Sequence, residues 1–536
     1  ILDLCKRRGF LLPSFGLHNG LRGALDYGPL GVELKRALCQ EWWRAVVDSR
    51  DDVHGVDTPI MTPREVLRAS GHEGSFSDPL VDCRLSRERF RADKAPALRV
   101  ECIDHGPSKQ HVEWRIPIYA PDKLKARDWL RQIEEKLAPG ARVVCERRSL
   151  YLYLAAKPTV PGIEVSMDMP VLSLQSTTDP RASIPLRYFG YAEPTTNSPF
   201  LTEPRAFNLM FRTHIGVGEP GDDGAATDSS SSSSEAMGAL VYLRPETAQG
   251  IFSNFPLLHR AAGQPALPFG LAQYGKAFRN EIRTEKSTFR TCEFEQLELE
   301  YFIPPTMEAA EQWLTRWRQW RLAWWRAYAK EASNVFRVRE HASDELAHYA
   351  KACYDIEYRF PWGWGEIEGV ANRGDHDLRQ HSEAIRSVAG LELAYAHGAQ
   401  GGKPSKAMPW VIEASAGLNR ACLVYLLDAY TAEGERVYLR LHPRIAPVQV
   451  AVMPLARDAA LQAVARNIAA QLRWIGVRTV LDTTSASIGR RYARQDEAGT
   501  PWCITVDFED DGRVTLRERD SMQQTRVAID EVASLL

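Results

Sequence analysis

The segment FRNEIRTEKSTFRTCEFEQLELE spans residues 278–300 and carries most of the information about the fold. Apolar residues flank a charged turn within 269–302, which predicts two antiparallel strands that form a hairpin. In the second strand, alternation places Glu298 and Glu300 on one face and the neighbouring leucines on the other. Several carboxylates are therefore expected to point from one sheet in the same direction.

Charged residues in a strand ordinarily belong to a solvated sheet face, and this interpretation competes with a functional one. Arg279 and Arg290 flank the same hairpin. Arginines combined with glutamates can bind a polyphosphate, its Mg²⁺ and an ammonium group together. We therefore favour a binding site on this sheet over a solvated face.

The composition is that of an ordinary folded protein. The chain has 536 residues, 44% of them hydrophobic and 25% charged, and a formal net charge of -2. A general basic coat is excluded, so a nucleic acid would have to bind a local basic face. The nine cysteines form no Cys-x-x-Cys pair, and no apolar run approaches the length of a membrane span. These features predict a cytoplasmic protein with no membrane association, although a leader removed before Ile1 would change the compartment.

The chain divides into four predicted regions. The first region is 1–94, an α/β insertion is 95–199, the third region is 200–440, and a C-terminal domain is 441–536. Within the third region, the Ser-rich stretch 216–238 is predicted to be a mobile loop.

Local patterns predict individual elements of these regions. An amphipathic helix is expected at 121–138 and an aromatic-striped helix at 308–330, whose tryptophans we assign to the core rather than to a base-stacking platform. Strand–helix–strand alternation after 441 predicts a largely parallel sheet.

Further segments repeat the arginine and glutamate theme, while common phosphate-loop, dinucleotide-binding and hydrolase motifs are absent. The segments are RPETAQG at 244–250, WGWGEIEGVANR at 362–373, WVIEASAGLNR at 410–420, DYGPLGVELK at 26–35 and IGRRYARQDEAGTPW at 488–502. Segments 278–294 and 413–420 resemble motifs 2 and 3 of the class II aminoacyl-tRNA synthetases. Together all these segments resemble the dimeric-type glycyl-tRNA synthetases over roughly 1–94 and 200–536.

The resemblance implies a fold, an activity and partners. The implied architecture is α/β: a class II catalytic domain, formed by 1–94 and 200–440 and built on an antiparallel sheet with flanking helices, an α/β insertion, and a C-terminal α/β anticodon-binding domain. The implied activity is a ligase that forms glycyl-adenylate from glycine and ATP and transfers the glycyl group to the 3′ end of tRNA(Gly). Motif 1, within 26–94, implies a homodimer.

The resemblance also assigns roles to residues for ATP and metal. The implied catalytic residues are Arg279, Glu281 and Arg420, with Arg279 on the α-phosphate. Phe294 is expected to stack on adenine. Mg²⁺ is the implied cofactor, with Glu366 and Glu413 as its ligands. The full implied ATP site comprises Arg279, Asn280, Glu281, Arg290, Phe294, Glu366, Arg373, Glu413 and Arg420.

Similar reasoning assigns the amino-acid and tRNA sites. A substrate without a side chain must be recognised through its ammonium group and by steric exclusion of a methyl group, and carboxylates next to a close wall suit that task. The implied glycine pocket comprises Glu246, Glu298, Glu300, Glu413 and Ser415. The implied tRNA contacts are Arg490, Arg491 and Arg494, for which a solvated loop is the alternative.

Three departures from the family pattern stand out. Cys83 lacks the second cysteine of a Cys-x-x-Cys knuckle, and the second pair's region, 194–200, contains none, so no structural zinc is expected. Cys292 stands where an arginine is common, and Ala414 where a proline is common. The first substitution is expected to weaken binding of ATP or of the tRNA end.

Two alternatives to a glycine ligase remain open on the sequence. One is a non-catalytic synthetase-like accessory subunit that binds nucleic acid, which the joint presence of the ATP and glycine positions disfavours. The other is an enzyme that activates a different small amino acid.

Overall fold

The computed structural model describes residues 1–21, 23–96, 98, 101–104, 112–134, 142–146, 149–153, 192–216, 239–284, 286–342, 350–389, 395–397, 405–509 and 512–535. Most of the insertion after residue 153 and nearly all of the predicted Ser-rich loop lie outside these residues. The chain forms two compact units, one of Ile1–Glu73, Met210–Arg279 and Thr284–Leu536 and the other of Gly74–Leu209 and Asn280–Arg283.

The helices in chain order are α1 Leu2–Arg8, α2 Pro29–Trp43, α3 Arg64–Ala69, α4 His72–Ser75, α5 Lys123–Glu134, α6 Ala248–Ser253, α7 Phe255–Ala261, α8 Met307–Ala327, α9 His376–Ala389, α10 Leu418–Ala429, α11 Ala459–Trp474, α12 Ile488–Ala498 and α13 Val532–Leu535.

The strands in chain order are β1 Leu11–Pro13, β2 Leu25–Tyr27, β3 Val53–Gly55, β4 Met61–Pro63, β5 Ser77–Asp82, β6 Arg89–Arg91, β7 Glu101–Asp104, β8 Val112–Tyr119, β9 Arg142–Glu146, β10 Ser149–Tyr153, β11 Arg205–Asn208, β12 Arg212–Ile215, β13 Ala239–Leu243, β14 Phe269–Phe278, β15 Glu293–Ile303, β16 Phe336–Glu340, β17 Ala352–Phe360, β18 Gly363–Gly374, β19 Tyr395–His397, β20 Ser405–Ala407, β21 Trp410–Gly417, β22 Tyr430–Glu433, β23 Arg436–Leu439, β24 Val450–Pro454, β25 Thr479–Leu481, β26 Trp502–Val506, β27 Arg513–Glu518 and β28 Gln524–Ala528.

A seven-stranded sheet forms the centre of the first unit, in the order β16-β17-β18-β21-β15-β14-β3. Its strands pair antiparallel except for β3, which runs parallel to β14. Strands β14 and β15 form the hairpin predicted from 269–302, with Phe269 opposite Phe302 and Phe278 opposite Glu293. The predicted antiparallel catalytic sheet is confirmed.

Helices cover both faces of this sheet. The leucines of β15 pack with α2, α8 and α10 in one large core, whereas α6, α7 and α9 contribute to a second core. In α8, Trp317 and Trp324 are buried, and Trp320 at the margin is 42% exposed beneath the guanidinium of Arg50. The aromatic stripe is therefore part of the core, as predicted, because its inner rings pack against the sheet and are closed to a nucleic-acid base.

The C-terminal part contains a five-stranded sheet in the order β25-β24-β26-β27-β28. Strands β25, β24 and β26 are parallel, as expected from strand–helix–strand connections, but β27 and β28 extend the sheet antiparallel. The prediction of a largely parallel sheet is thus correct only for the first three strands, since β27 and β28 each pair antiparallel with the strand before them.

Helix α12 joins this C-terminal sheet to the rest of the first unit. Glu497 accepts hydrogen bonds from Arg8 at 2.5 Å and Arg7 at 3.0 Å. Its neighbour Asp496 is bound by Arg517 within the sheet and by Arg436 from β23. The last turn of α12 is therefore tied by ion pairs on both sides.

The second unit contains two sheets, in the orders β7-β8-β10-β9 and β11-β5-β6. Helix α5 confirms the helix predicted at 121–138 as far as the described residues extend. It buries Ala126, Trp129 and Ile133 in a core shared with β8 and β10. In the part of the chain that the structure covers, no helix has the length and apolarity needed to cross a membrane.

Candidate active site

Strand register brings the predicted carboxylates together on one face of the central sheet. Glu298 of β15 lies opposite Ser415 of β21, and Glu300 lies opposite Glu413. The side chains of Glu298 and Glu300 are 0% exposed, and with Glu413 they place carboxylate oxygens within 4.8 Å of one another. The solvated-face interpretation of this strand is wrong, since helices cover the carboxylates.

Arg373 is the cation at the centre of this carboxylate cluster. Its Nη1 donates to Glu413 Oε1 at 2.9 Å, while Nε and Nη2 donate to the two oxygens of Asp377 at 2.8 and 2.9 Å. Glu246 Oε1 lies 3.9 Å from Nη2. Arg373 is 1% exposed, so one buried guanidinium orients three carboxylates.

A second buried network holds Glu246. Gln249 Nε2 donates to Glu246 Oε1 at 3.0 Å and to Asp377 Oδ1 at 2.9 Å, which leaves Gln249 Oε1 to accept from His381 Nε2 at 2.8 Å. On the other side, His72 Nε2 lies 3.4 Å from Glu246 Oε2. These contacts fix the carboxylate of Glu246 at the edge of the cluster.

The electrostatics of the cluster divide the carboxylates into two kinds. Burial, together with the charges of Glu413 and Glu246, raises the pKa of Glu298 to about 8. Burial and the Glu413 charge likewise raise the pKa of Glu300, and burial outweighs Arg373 in raising that of Glu413. For Glu246, burial is outweighed by His72 and Arg373, which hold its pKa well below the usual range.

The same cluster contains unused hydrogen-bond acceptors. Among the described residues, Glu298 Oε1 and both carboxylate oxygens of Glu300 have no hydrogen-bond partner, although Glu298 Oε2 accepts from Thr247 Oγ1 at 2.7 Å. Buried acceptors without partners are costly. A small ligand that brings hydrogen-bond donors, such as an ammonium group, would complete this site.

A polar floor continues from the carboxylates along β14 and β15. Gln296 Nε2 donates to Ser415 Oγ at 3.2 Å, and Gln296 Oε1 accepts from the backbone of Thr247. Arg244 lies beneath, donating to the carbonyl oxygens of Thr58 and Lys276. Arg244 therefore connects two backbone segments next to the pocket, and its guanidinium is not directed at a ligand.

Two arginines and two aromatic rings mark the other end of the site. Arg279 donates to Pro245 O at 3.1 Å, and its guanidinium carbon lies 5.4 Å from the centre of the Phe294 ring. Arg420 lies over Phe289 at 4.4 Å and donates to the carbonyl oxygen of that residue. This combination of rings and guanidinium groups suits a planar base and phosphates.

Glu366 lies beside Arg420 and apart from the buried carboxylates. Arg420 Nη1 is 3.4 Å from Glu366 Oε2, and half of the Glu366 side chain is exposed. Glu413 lies opposite Ala371, which is five residues after Glu366 in β18. The carboxylate of Glu413 already accepts a hydrogen bond from Arg373. Of the two predicted Mg²⁺ ligands, only Glu366 therefore offers an accessible oxygen, which is what a hydrated cation requires.

The remaining predicted ATP residues lie near the ends of this hairpin. Arg290 follows the short helix Ser287–Phe289 and precedes β15. Asn280 and Glu281 belong to the second unit, where the backbone N–H of Asn280 donates to Leu209 O at 2.7 Å.

The three predicted tRNA arginines occupy different environments on α12. Arg490 is exposed, and Arg494 is partly exposed and donates to Thr484 Oγ1 at 3.2 Å. Arg491 is buried, and its guanidinium donates to the carbonyl oxygens of Pro454, Asp482 and Leu455. Arg491 thus ties the ends of two strands together and has no access to a phosphate in this conformation.

Known proteins resemble the whole chain. Glycine–tRNA ligases of Cutibacterium acnes and Thermus thermophilus are each 38% identical to it, with 100% of this chain and 95% and 97% of the relatives aligned. The glycine–tRNA ligase of Nocardia farcinica is 39% identical, with 100% and 96% aligned. The chain belongs to the glycine–tRNA ligase family.

Two further comparisons agree with this family and its fold. Residues 449–536 match the family described as "Anticodon binding domain". The solved structure of Giardia lamblia prolyl-tRNA synthetase in complex with prolyl-adenylate has a TM-score of 0.55 and 14% identity, covering 99% of this chain and 73% of that one. The class II fold and the C-terminal anticodon-binding domain predicted for this member of the glycine–tRNA ligase family are confirmed.

Sequence reasoning missed several residues that complete the site of this glycine–tRNA ligase family member. Gln249 and Asp377 lie within or beside segments already singled out, but an isolated polar residue in a motif does not reveal its partner. His72 and His381 lie in no such segment. The two residues found where the family commonly has others, Cys292 and Ala414, do not disturb the cluster: Cys292 O accepts from Arg279 N, and Ala414 is buried on the opposite sheet face.

Proposed function

We propose that this protein is a glycine–tRNA ligase, which couples glycine, ATP and tRNA(Gly) in two steps. In the first, a carboxylate oxygen of glycine attacks the α-phosphorus of ATP, giving glycyl-adenylate and pyrophosphate. In the second, a terminal ribose hydroxyl of tRNA attacks the glycyl carbonyl and AMP leaves. The observation that carries the proposal is the buried carboxylate cluster around Arg373, in a chain that aligns over its full length with glycine–tRNA ligases.

Glycine is proposed to bind over Glu298, Ser415 and Glu246. The unpartnered Glu298 Oε1 and the ion-paired Glu246 would accept hydrogen bonds from the ammonium group. Glu300 and Glu413 form the back of this pocket, and Arg373 donates a hydrogen bond to Glu413. A larger amino acid is excluded because its side chain would need space among carboxylates that are already buried and ordered.

ATP is proposed to lie over the other end of the sheet. Phe294 would stack on adenine, Arg279 would bind the α-phosphate, and Arg290 and Arg420 the outer phosphates. Asn280 and Glu281 are assigned to the adenine or the tRNA end. The chemistry then depends on positioning and on neutralising the charge that develops in the in-line transition state.

Mg²⁺ is proposed to accompany ATP, where it would neutralise the phosphates. Glu366 is the residue assigned to hold it, since its side chain is half exposed beside Arg420. Glu413 keeps its predicted place in the glycine pocket but is not proposed as a metal ligand, because its carboxylate accepts a hydrogen bond from the buried Arg373.

Binding of tRNA is assigned to the C-terminal domain, with Arg490 and Arg494 as phosphate contacts. Arg491 is left out of this role since it is buried. A homodimer and a cytoplasmic location are part of the same proposal.

Glycine-dependent exchange of labelled pyrophosphate into ATP tests the first step. The purified full-length chain should catalyse the exchange with glycine, and Arg279→Ala should reduce the rate by at least about 100-fold. Arg260→Ala, at an exposed position of α7, is the matched control and should leave the rate unchanged.

Three other outcomes would count against the proposal. Faster exchange with alanine or serine than with glycine would identify a different amino-acid substrate. A folded protein that binds tRNA without any exchange would instead be an accessory subunit. Unchanged exchange in Arg279→Ala would overturn the assignment of the α-phosphate site.

A further inference from the structure

A second cluster of potential ligands lies on β17 and directly after β16. His341, Cys353 and Asp355 place a ring nitrogen, a thiol sulfur and a carboxylate oxygen within 4.8 Å of one another. None of the roles proposed above uses these three residues. We propose that they form a site for one transition-metal ion of the Zn²⁺ class, with a fourth position open to solvent.

The backbone holds the three residues in one arrangement. Cys353 and Asp355 are alternate residues of β17, so both point to the same face of the sheet. His341 directly follows β16, and its backbone N–H donates to Cys353 O at 3.0 Å. The ligands are thus positioned by sheet hydrogen bonds instead of by a long loop.

The neighbouring strand leaves room above this cluster. Gly369 lies opposite Asp355 and Ala371 lies opposite Cys353. A side-chain carbon at Gly369 would meet no heavy atom within 4 Å. His341 is 19% and Asp355 7% exposed, and His341 Nε2 lies 2.8 Å from Asp355 Oδ2, a contact that a bound ion would replace.

The ligand set selects the class of ion. Nitrogen, sulfur and oxygen ligands at a three-residue site with an open position are typical of zinc and cobalt, whereas Mg²⁺ and Ca²⁺ take oxygen ligands. A Cys353 thiolate and the Asp355 carboxylate would balance the two charges of the ion, and the thiol proton would pass to solvent.

A cationic side chain occupies part of this site in the structure. Arg339 Nη2 donates to Asp355 Oδ2 at 2.9 Å and lies 3.3 Å from His341 Nε2. Arg339 is one-third exposed, and its Nε lies 3.3 Å from Glu357, which gives it an alternative partner. We therefore expect a metal ion to compete with the Arg339 guanidinium, and the loss of Arg339 to favour the ion.

Cobalt titration of the metal-stripped full chain tests the proposal, because a cobalt–thiolate bond has its own near-ultraviolet charge-transfer absorption. The expected result is a band that saturates at one equivalent of Co²⁺, that Zn²⁺ abolishes and that Mg²⁺ leaves unchanged. Cys353→Ser should abolish the band. Cys145→Ser, which removes an exposed thiol, should retain it. Arg339→Ala should bind Co²⁺ roughly twofold to fivefold more tightly.

Circular dichroism of each variant establishes that it is folded, and His341→Gln gives an independent test if Cys353→Ser does not fold. His341→Gln should keep the thiolate band but weaken binding at least tenfold. No band in the folded wild-type chain, or a full band in Cys353→Ser, would overturn the proposal.

Discussion

The guanidinium of Arg373 and the carboxylate of Glu413 meet at 2.9 Å across neighbouring strands, and the arginine is buried there. Asp377 and Glu246 converge on the same guanidinium. Since a buried charge without its partner is strongly unfavourable, the order of this pocket depends on one side chain.

Replacing that side chain should therefore destabilise the fold. Arg373→Met is expected to lower the free energy of unfolding by about 3–5 kcal/mol, because it leaves Asp377 and Glu413 buried without a cation. Urea unfolding followed by circular dichroism measures this. Arg379→Met breaks the ion pair between Arg379, an exposed residue of α9, and Asp375, which directly precedes that helix, and should cost less than about 1 kcal/mol. Equal losses in the free energy of unfolding for the two substitutions would show that the buried network contributes no more to stability than the exposed ion pair.

Glu298→Gln should act on substrate binding. The substitution keeps the size of the side chain but prevents Glu298 from ionising, and a bound ammonium group would favour the ionised carboxylate, so the KM for glycine should rise roughly 10–100-fold. The KM for ATP should change little. Pyrophosphate exchange at varied glycine and ATP measures both, and Glu308→Gln on the exposed start of α8 is the control. Parallel increases in both KM values would point to general disruption of the site.

His381 should make the fold sensitive to acid. Burial, aided by His72 and opposed by Asp377, lowers the pKa of His381 to about 4, from 6.5 in the unfolded chain. The unfolded state therefore binds the extra proton first, and stability is lost as the pH falls from 6.5 towards 4, by about 3 kcal/mol at the lower limit. His381→Gln should flatten this dependence in urea unfolding between pH 7 and about 4.5, whereas His18→Gln, at an exposed position, should reproduce the wild-type slope.

The arginines of α12 should separate tRNA binding from stability. Arg494→Ala is expected to weaken tRNA affinity and to reduce the slope of log affinity against log salt by about one. Arg491→Met should leave that slope unchanged but cost about 2–3 kcal/mol of stability, because it removes hydrogen bonds to buried carbonyl oxygens. A loss of salt dependence in Arg491→Met would return that residue to the tRNA-binding face.

The sequence was informative where a local pattern has a single structural meaning. Alternation in 293–303 correctly predicted the strand and the shared face of Glu298 and Glu300. Their burial was not predictable from alternation alone, because it depends on α6 and α9, which come from other parts of the chain.

Contacts between residues far apart in the chain could not be predicted from the sequence. Nothing local to Arg491 distinguishes it from Arg490 and Arg494, since only the three-dimensional position of the strand ends decides which guanidinium turns inward. The link between His72 and Glu246 joins residues far apart in the chain and has no periodic signal. Strand–helix–strand alternation likewise did not predict the two antiparallel strands at the end of the C-terminal sheet.

The ion pairs at the end of α12 mean that the C-terminal domain cannot be removed without changing the surface of the rest of the protein. Asp496 and Glu497 neutralise Arg436, Arg8 and Arg7, which all belong to the part of the chain before residue 441. A truncated protein that lacks 441–536 would keep these three arginines and lose both carboxylates. Activity assays on an isolated catalytic fragment would then report the behaviour of a protein with a newly exposed basic surface, which would attract tRNA non-specifically.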